Sequence, residues 1–355
     1  MIAVLADDLS GAAELAGAAL LHGLRAEVQT RFTADTDADL VCIDTDTRLR
    51  PPAEAAAIVA QVGRDVVAAR PEWVFKKCDS VLRGAVLAES RALARAIGAQ
   101  AITLLSANPS RGRVIQGGRY RVEGVPLHET IFRDDPAHPR LTDLVADLLG
   151  GDLTGVAAPD AITSEDVARQ AQAVGAHTLP AGGVDFFAAV LAARRVGTAP
   201  VVPAVAFVPA ERAILAVCGS AVGWPLRQAA ASGWREAVFA LPHDVAAARR
   251  ALRTRRRALI GIGDGPATRG RTPAELAAAL GAAVAEILRD VPVDRMLLEG
   301  GATAIAVIRA LGWTRLRASA LAAAGVGVLR PVDGRGPELL VKPGSYPWPT
   351  GLWPA

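Results

Sequence analysis

The chain has 355 residues, more than one hydrophobic core usually organises, so two domains are expected. Hydrophobic residues make up 51% of the chain and charged residues 21%, a composition that excludes intrinsic disorder. Basic residues exceed acidic ones by only 39 to 36, and no basic run is interleaved with aromatic residues, so nucleic acid is not an expected partner.

The cysteines and the apolar stretches bear on the compartment. Cys42, Cys78 and Cys218 are far apart and form no C-x-x-C pair, which argues against a disulfide framework or a zinc knuckle and indicates a reducing compartment. The first residues lack a basic region typical of signal peptides, and charged residues, Gly or Pro interrupt every apolar stretch before it reaches membrane-spanning length. We therefore expect a cytoplasmic protein without a membrane partner.

Short apolar β-prone runs alternate with alanine-rich helical stretches, the pattern of parallel sheets covered by helices. The sequence therefore predicts an α/β fold with two domains, each a mainly parallel sheet flanked by helices. In the first half, the pattern predicts strands at residues 2–6, 40–43, 73–76 and 101–104 and helices at residues 10–21, 53–69 and 87–97.

The amino-acid composition of the chain changes at two places. Residues 108–129 are rich in Gly, Arg and Pro, which predicts a long functional loop or hairpin. A strand at residues 155–158 and a helix at residues 160–173, capped by Ser164, then resume the alternation. Prolines at residues 199–209 indicate a linker, so we predict domains at residues 1–205 and 206–355, with further strands at residues 213–217, 258–262 and 295–298.

The first segment that could carry chemistry is A-D-D-L-S-G at residues 6–11, where the first predicted strand ends and a helix begins. Ligands bind at this edge of open α/β sheets. The carboxylates of Asp7 and Asp8 could accept a proton from a substrate hydroxyl or bind hydroxyl groups. Helix capping by Asp8 or Ser10 is the alternative interpretation, although capping needs only one of them.

The second segment is K-K-C-D-S-V-L-R-G at residues 76–84, again directly after a strand. Its cations, Lys76, Lys77 and Arg83, suit the carboxylate of an acid substrate or a transferring phosphoryl group, and Asp79 could orient a cation or a hydroxyl. A surface network of ion pairs is the alternative interpretation. The segment ends at Gly84.

Three further polar segments lie after a predicted strand or in the predicted loop. Residues 45–48, T-D-T-R, follow the second predicted strand and end at Arg48. Residues 108–113, which end at Arg113, and residues 124–130 could close over a bound anion. His128, taken alone, is interpreted as structural.

The second half contains two glycine-hydroxyl segments between a strand and a helix: C-G-S at residues 218–220 and E-G-G-A-T at residues 299–303. Glycines allow phosphates to approach the backbone, and free N–H groups at a helix start bind anions. Tight turns also need glycine, but two such segments in one domain favour a nucleotide site. Residues 261–265, G-I-G-D-G, lack the full dinucleotide fingerprint and predict a turn, and no Walker P-loop is present.

Taken together, these segments resemble the four-carbon acid sugar kinase family, in the family's order. Its motif A-D-D-x-[TS]-G-A is similar to residues 6–12, T-x-[ST]-R to residues 45–48, and K-K-x-D-S-T-L-R-G to residues 76–84. The G-R and G-V-P-L-x-E-T elements are similar to residues 112–113 and 124–130. In the second half, G-S before a helix with a glutamine resembles Gly219, Ser220 and Gln228, and G-G-x-T resembles residues 300–303.

The resemblance implies a substrate-binding N-terminal domain, a nucleotide-binding C-terminal domain and an active site in the cleft between them. It implies ATP-dependent phosphorylation, with Mg²⁺, of an acid such as threonate, erythronate or 3-oxo-tetronate, and a homodimer. Asp8 or Asp79 would be the proton acceptor. The implied substrate-binding residues are Asp7, Arg48, Lys76, Lys77, Arg83, Gly84 and Arg113. The implied ATP-binding residues are Ser220, Gly300, Gly301, Ala302, Thr303 and Gly344.

The chain departs from the family pattern mainly near the nucleotide end. The family's K-S-G-x-F-G reads K-P-G-S-Y-P at residues 342–347, so prolines bound this segment. Val81 replaces a usual threonine. Two alternatives therefore stay open: a non-catalytic family member that binds a hydroxy acid or a nucleotide, and an oxidoreductase that uses the turn at residues 261–265.

Overall fold

The computed structural model describes residues 1–135, 137–196, 212–220, 223–323, 325–344 and 348. The predicted proline-rich linker at residues 199–209 lies outside the described residues, as do residues 345–347. Among the described residues, no helix is both long enough and apolar enough to span a membrane. Cys42, Cys78 and Cys218 are buried free thiols.

The strands and helices alternate as predicted. The strands up to residue 196 are β1 (Ile2–Ala6), β2 (Ala26–Gln29), β3 (Leu40–Asp44), β4 (Val74–Lys77), β5 (Ala101–Leu105), β6 (Arg113–Gln116), β7 (Arg119–Val122), β8 (Val125–Pro126), β9 (Val156–Ala157) and β10 (Thr178–Gly182). The helices in the same range are α1 (Leu9–Leu20), α2 (Pro52–Ala68), α3 (Val86–Ile97), α4 (Val145–Leu148), α5 (Ser164–Gln172) and α6 (Val184–Ala193).

The later part of the chain continues the same pattern. Its strands are β11 (Ile214–Cys218), β12 (Val238–Phe239), β13 (Arg257–Gly261), β14 (Arg295–Glu299), β15 (Arg315–Ala323), β16 (Val326–Pro331) and β17 (Glu338–Lys342). Its helices are α7 (Gly223–Ala230), α8 (Val245–Arg255), α9 (Pro273–Leu288) and α10 (Gly301–Ala310). The α/β fold class is confirmed.

The chain divides into two compact units. The first unit takes residues 1–26 and 30–200, and the second takes residues 27–29 and 201–355. Most of β2 therefore belongs to the second unit, although the chain around it belongs to the first.

The first unit contains a parallel sheet in the order β3-β1-β4-β10-β5-β9. Its register places Ala6 opposite both Asp44 and Lys77, and Gly182 opposite both Lys77 and Leu105. Five neighbouring strands therefore end at one level, and the polar segments that follow them meet at one edge of the sheet. The core of this unit includes Phe75, whose ring lies 5.1 Å from that of Phe187.

The second unit contains a mixed sheet in the order β12-β13-β11-β14-β17-β16-β15-β2. The strands from β12 to β17 in this order pair in parallel, and β17, β16, β15 and β2 pair antiparallel. Cys218 pairs with Gly261 and Glu299, and Glu299 pairs with Lys342, so the glycine segments after β11 and β14 also share one edge.

Several local predictions have a definite outcome. The predicted loop or hairpin at residues 108–129 forms a three-stranded antiparallel sheet, β6-β7-β8. The prediction that Ser164 caps α5 is wrong. Thr163 is the N-cap, because its hydroxyl accepts the Asp166 N–H while the Asp166 carboxylate accepts the Thr163 N–H.

The segment at residues 261–265 starts at the last residue of β13 and continues as irregular structure with a bend at residues 264–265. The buried ring of Trp224 fills the space above Gly261, where a Cβ atom would lie 2.1 Å from the ring. This packing explains the glycine without a ligand.

Candidate active site

Arg48 joins the loop after β3 to the loop after β1. Its Nε and Nη2 donate to the Asp7 carboxylate at 2.7 and 2.9 Å, and its Nη1 and Nη2 donate to the Asp8 carboxylate at 2.8 Å each. The Thr45 hydroxyl donates to the Ala6 carbonyl at 2.8 Å, which fixes the same two loops to each other. One guanidinium group therefore holds two adjacent carboxylates at the end of β1.

Asp8 is also the N-cap of α1, which confirms the capping interpretation of this residue. Its carboxylate accepts the Gly11 N–H at 2.8 Å and the Ser10 hydroxyl. A Cβ atom at residue 11 would lie 2.9 Å from the Asp8 carboxylate and 3.4 Å from the Lys77 Nζ. The glycine is required here because the carboxylate and the lysine approach the helix start closely.

Asp79 fixes Arg83 through a two-point ion pair. Its carboxylate accepts Arg83 Nε at 3.0 Å and Arg83 Nη2 at 2.8 Å, and it also accepts the backbone N–H groups of Val81 and Arg83. Burial alone would raise the pKa of Asp79, but the guanidinium groups of Arg83 and Arg48 hold that pKa well below its usual value. Asp79 is therefore ionised and a weak base.

The two adjacent lysines have different surroundings. The Lys76 Nζ lies 2.8 Å from the Glu89 carboxylate of α3, and both side chains are 1% exposed. Lys77 points toward α1, where its Nζ lies 3.5 Å from the Glu14 carboxylate, which also binds Arg111. Lys77 thus lies beside Asp8, whereas Lys76 forms a buried ion pair on the α3 side.

Arg113 and Gly84 also lie at this edge. The Arg113 guanidinium donates to the Ser80 hydroxyl and lies 5.5 Å from the centre of the Phe132 ring. Gly84 has a φ of +85°, and a Cβ atom there would lie 3.1 Å from the Arg48 carbonyl oxygen. Gly84 therefore allows the two arginine-bearing loops to approach each other.

The buried carboxylates predict how stability depends on pH. The pKa of Asp7 is lowered as well, since Arg48 and Lys76 outweigh the effect of burial. A carboxylate whose folded-state pKa is depressed stabilises the fold above its unfolded pKa of about 4, and this contribution is lost as the pH falls further. We expect the thermal midpoint to fall steeply below about pH 4.

Thermal unfolding from pH 7 to pH 3 tests this expectation. Asp79→Asn should show a lower midpoint at pH 7 and a shallower decline below pH 4, whereas the exposed control Asp147→Asn should behave as wild type. Equal acid sensitivity in the Asp79 variant and wild type would contradict it.

In the second unit, the glycine segments after β11 and β14 are tightly packed. A Cβ atom at Gly219 would lie 1.7 Å from the Thr303 hydroxyl oxygen. Gly300 has a φ of +101° and is the N-cap of α10, with Gly301, Ala302 and Thr303 in the first turn. The backbone N–H groups at the start of this ten-residue helix suit an anion.

Ser220 and Gly344 lie near these segments. The Ser220 hydroxyl accepts the N–H of Gly223, the first described residue of α7, at 2.9 Å. A Cβ atom at the exposed Gly344 would lie 3.8 Å from the Ser220 side chain. Ser220, Gly344 and the start of α10 thus follow neighbouring strands at one edge of the sheet.

Glu299, just before Gly300, is the centre of a buried polar cluster that sequence reasoning missed. Its carboxylate accepts Arg227 Nε at 2.7 Å and Trp348 Nε1 at 3.0 Å, and it lies 3.4 Å from the Lys342 Nζ. Burial lowers the pKa of Lys342, and Glu299 partly opposes this effect. Through Glu299 and Lys342, the cluster links the ends of β14 and β17, next to the glycine segments.

The described residues were searched for a metal site. They contain no cluster of three or more His, Cys, Asp or Glu side chains arranged to hold a metal ion. The carboxylate at the glycine edge, Glu299, is already engaged by Arg227 and Trp348. These residues do not fit a preformed protein site for a divalent cation.

Family models match both parts of the chain. Residues 2–189 match a sugar-binding N-terminal domain, and residues 240–346 match a nucleotide-binding C-terminal domain. The chain belongs to the four-carbon acid sugar kinase family.

Curated proteins similar to this family member carry three kinase names. A D-threonate kinase of Salmonella typhimurium is 32% identical over 149 residues, 41% of this chain and 35% of that protein. A D-erythronate kinase of Heliobacterium modesticaldum is 30% identical, over 42% of this chain and 35% of that protein. A 3-oxo-tetronate kinase of Brucella melitensis is 33% identical, over 40% and 34%. In each case the match spans about a third of the relative's length.

Solved structures support the fold of this family member. A Salmonella typhimurium protein provisionally described as a tRNA synthase superposes with a TM-score of 0.75 at 18% identity, covering 98% of this chain and 96% of that one. A Haemophilus influenzae protein of a family without a described function gives a TM-score of 0.69 at 19% identity, covering 97% of both chains. A Bordetella bronchiseptica domain, solved with citrate as a domain-swapped dimer, gives 0.50 at 23% identity, covering 98% of this chain and 94% of that one.

Proposed function

We propose that this protein transfers the terminal phosphoryl group of ATP to a hydroxyl group of a small sugar acid. The acid is of the four-carbon class to which threonate, erythronate and 3-oxo-tetronate belong. The observation that carries the proposal is the set of buried and half-buried charged side chains at the ends of three neighbouring parallel strands in the part matched by a sugar-binding model. The set comprises Asp8, Arg48, Lys77, Asp79 and Arg83.

Asp8 is the proposed proton acceptor. Asp79 is the poorer candidate, because the guanidinium groups of Arg83 and Arg48 hold its pKa well below the usual value. The Asp8 side chain is also more accessible, at 12% exposed against 5% for Asp79. In this proposal Asp8 takes the proton from the attacking hydroxyl group, and Asp79 positions Arg83.

The cations have distinct proposed roles. Lys77, beside Asp8, would stabilise negative charge on the reacting oxygen atoms, and Arg113 with Ser80 would hydrogen-bond substrate hydroxyl groups. Asp7 would hold Arg48 in place. Lys76 would stabilise the fold through Glu89 rather than touch the substrate, since its side chain is 1% exposed.

ATP is proposed to bind the second unit at the start of α10. The N–H groups of Gly301, Ala302 and Thr303 would bind phosphate oxygens, while Gly219 lets the Thr303 side chain pack against the loop after β11 and so holds the start of α10 in place. Ser220 and Gly344 would line the same edge. Mg²⁺ would arrive with the phosphates, which commonly supply part of its coordination. Bound in this way, it would neutralise charge on the transferring group.

An ADP-release assay tests the proposal. The purified protein is incubated with ATP, Mg²⁺ and a panel of three- to six-carbon sugar acids, with the matching neutral sugars as controls. We expect ADP release that depends on one or a few acids, reaches a kcat in the range of about 1–100 s⁻¹ common for kinases, and is strongly reduced in Asp8→Asn. Acid and nucleotide binding without turnover would instead support the non-catalytic alternative.

We also propose a homodimer, because the related Bordetella bronchiseptica domain forms a domain-swapped dimer. Sedimentation analysis of the purified chain would give its mass in solution. A monomer at micromolar concentration would overturn this proposal.

A further inference from the structure

The two arginines that the family motifs assign to the substrate are already neutralised by aspartates. Arg48 makes four hydrogen bonds to Asp7 and Asp8. Arg83 binds Asp79 through Nε and Nη2, and its Nη1 donates to Asp135 at 2.9 Å. An acid that enters this cluster therefore needs another cation for its own carboxylate, because each of these guanidinium groups already faces two carboxylates.

Arg140 is such a cation. Its Nε donates to the His138 carbonyl at 2.9 Å and its Nη1 donates to the Leu82 carbonyl at 2.8 Å. Within the described residues, Arg140 forms no ion pair, and its Nη2 has no hydrogen-bond acceptor. The edge formed by Nη1 and Nη2 therefore keeps donors available for a two-point interaction with a carboxylate.

The surroundings of Arg140 place it at the substrate cluster. Leu82 is the neighbour of Arg83 and has a φ of +62°, a strained conformation for leucine in which its carbonyl group meets Arg140. The neighbouring His138 ring nitrogen lies 2.8 Å from the Arg48 carbonyl oxygen. The segment around residue 140 thus contacts both arginine-bearing loops.

The burial of Arg140 and the charges around it are consistent with a position beside the substrate cluster. Burial lowers the pKa of Arg140, and the charges of Asp79 and Asp135 partly oppose the effect. An arginine remains protonated at any physiological pH. Arg140 is therefore a half-buried permanent cation beside the cluster.

We infer that Arg140 binds the carboxylate group of the acid substrate and so selects acids over neutral sugars. The inference rests on the proposed function and names the residue that recognises the acid group. In this inference Arg48 and Arg83 maintain the shape of the site, whereas Arg140 recognises the negative charge of the ligand.

The test compares an acid with its uncharged amide. Calorimetry without nucleotide measures the binding of D-threonate, D-erythronate and the two corresponding amides to wild type, Arg140→Gln, Arg140→Lys and Arg133→Gln. In wild type we expect at least one acid to bind about 10- to 100-fold more tightly than its amide, the range for a charge-assisted pair. Arg140→Gln should reduce this ratio to below about 3-fold, while amide affinity stays nearly unchanged.

The control variants separate binding from folding. Arg133 is exposed in the same segment, so Arg133→Gln should keep the wild-type ratio. Arg140→Lys keeps the charge but loses the two-point geometry, so an intermediate ratio is expected. Equal losses of acid and amide affinity in Arg140→Gln, with a lower thermal midpoint, would show a merely structural role and overturn the inference.

The remaining outcomes separate this inference from the kinase proposal. ADP release with either acid, together with an unchanged acid-to-amide ratio in Arg140→Gln, would overturn the inference and leave the kinase proposal standing. If the acid preference disappears in Arg140→Gln but wild type releases no ADP, the inference stands and the kinase proposal is overturned. A wild-type protein that binds neither acid better than its amide would also overturn the inference.

Discussion

Asp8→Asn is expected to lower kcat by about 10²- to 10⁴-fold, the usual contribution of a positioned general base. Asparagine has the same shape and remains a good N-cap for α1, so the Gly11 N–H keeps its acceptor. Arg48 retains the Asp7 carboxylate. The loss should therefore appear in kcat, whereas the KM for the acid should change by less than about 10-fold.

The control for this prediction is Asp35→Asn, which removes a carboxylate from an exposed loop of the same unit. It should leave both kinetic constants unchanged. Single-turnover kinetics with the acid identified by ADP release would measure the chemical step directly. An Asp8→Asn enzyme that retains a third or more of the wild-type rate would exclude Asp8 as the base, and Asp79→Asn would then have to be compared in the same assay.

Gly219→Ala is expected to weaken ATP binding by about 10- to 100-fold, because an added methyl group in a tightly packed position costs about 1–3 kcal/mol. The new Cβ atom would lie 1.7 Å from the Thr303 hydroxyl oxygen and 3.0 Å from the Thr303 Cβ. Rotation of the Thr303 side chain relieves only the first of these contacts. The first turn of α10 must therefore shift, and its N–H groups would move away from the phosphates.

Calorimetric titration with a non-hydrolysable ATP analogue measures this effect. Gly265→Ala is the matched control, since Gly265 is in the same unit, has a φ of −76° and would place a Cβ atom in open space. Acid binding by the first unit should be unaffected in both variants. If Gly219→Ala binds the analogue as wild type does, the phosphates do not lie at this edge.

The fold was largely predictable because hydrophobic periodicity marks the buried parallel strands. Two of the strands that the sequence did not predict are β10 and β2, and each omission has a physical reason. β10 contains Pro180, and proline normally argues against a central strand, yet β10 lies between β4 and β5. β2 reads A-E-V-Q, and the burial of its two polar residues comes from pairing with β15, nearly 290 positions later in the chain.

The site was predictable only in part. Motifs at strand ends indicated Asp8, Arg48, Asp79 and Arg83 as site residues. Their mutual contacts could not be predicted, because they depend on the level at which neighbouring strands of the sheet end. Side chains alternate across a strand, so the sequence already placed Lys76 and Lys77 on opposite faces of the sheet, but only the structure shows that Lys77 is the one that faces α1. Arg140 carries no local signal, since its position follows from a loop that returns to Leu82 from 58 residues away.

The assignment of residues 27–29 to the second unit has a practical consequence for dividing the protein into fragments. A fragment beginning at residue 212 would lack β2, and the Arg315 guanidinium would lose the buried carboxylate of Glu27, now 2.6 Å away. The exposed edge of β15 would then be free to pair with other chains and aggregate. A fragment of the second unit is therefore a poor reagent for ligand binding unless the β2 segment is supplied with it.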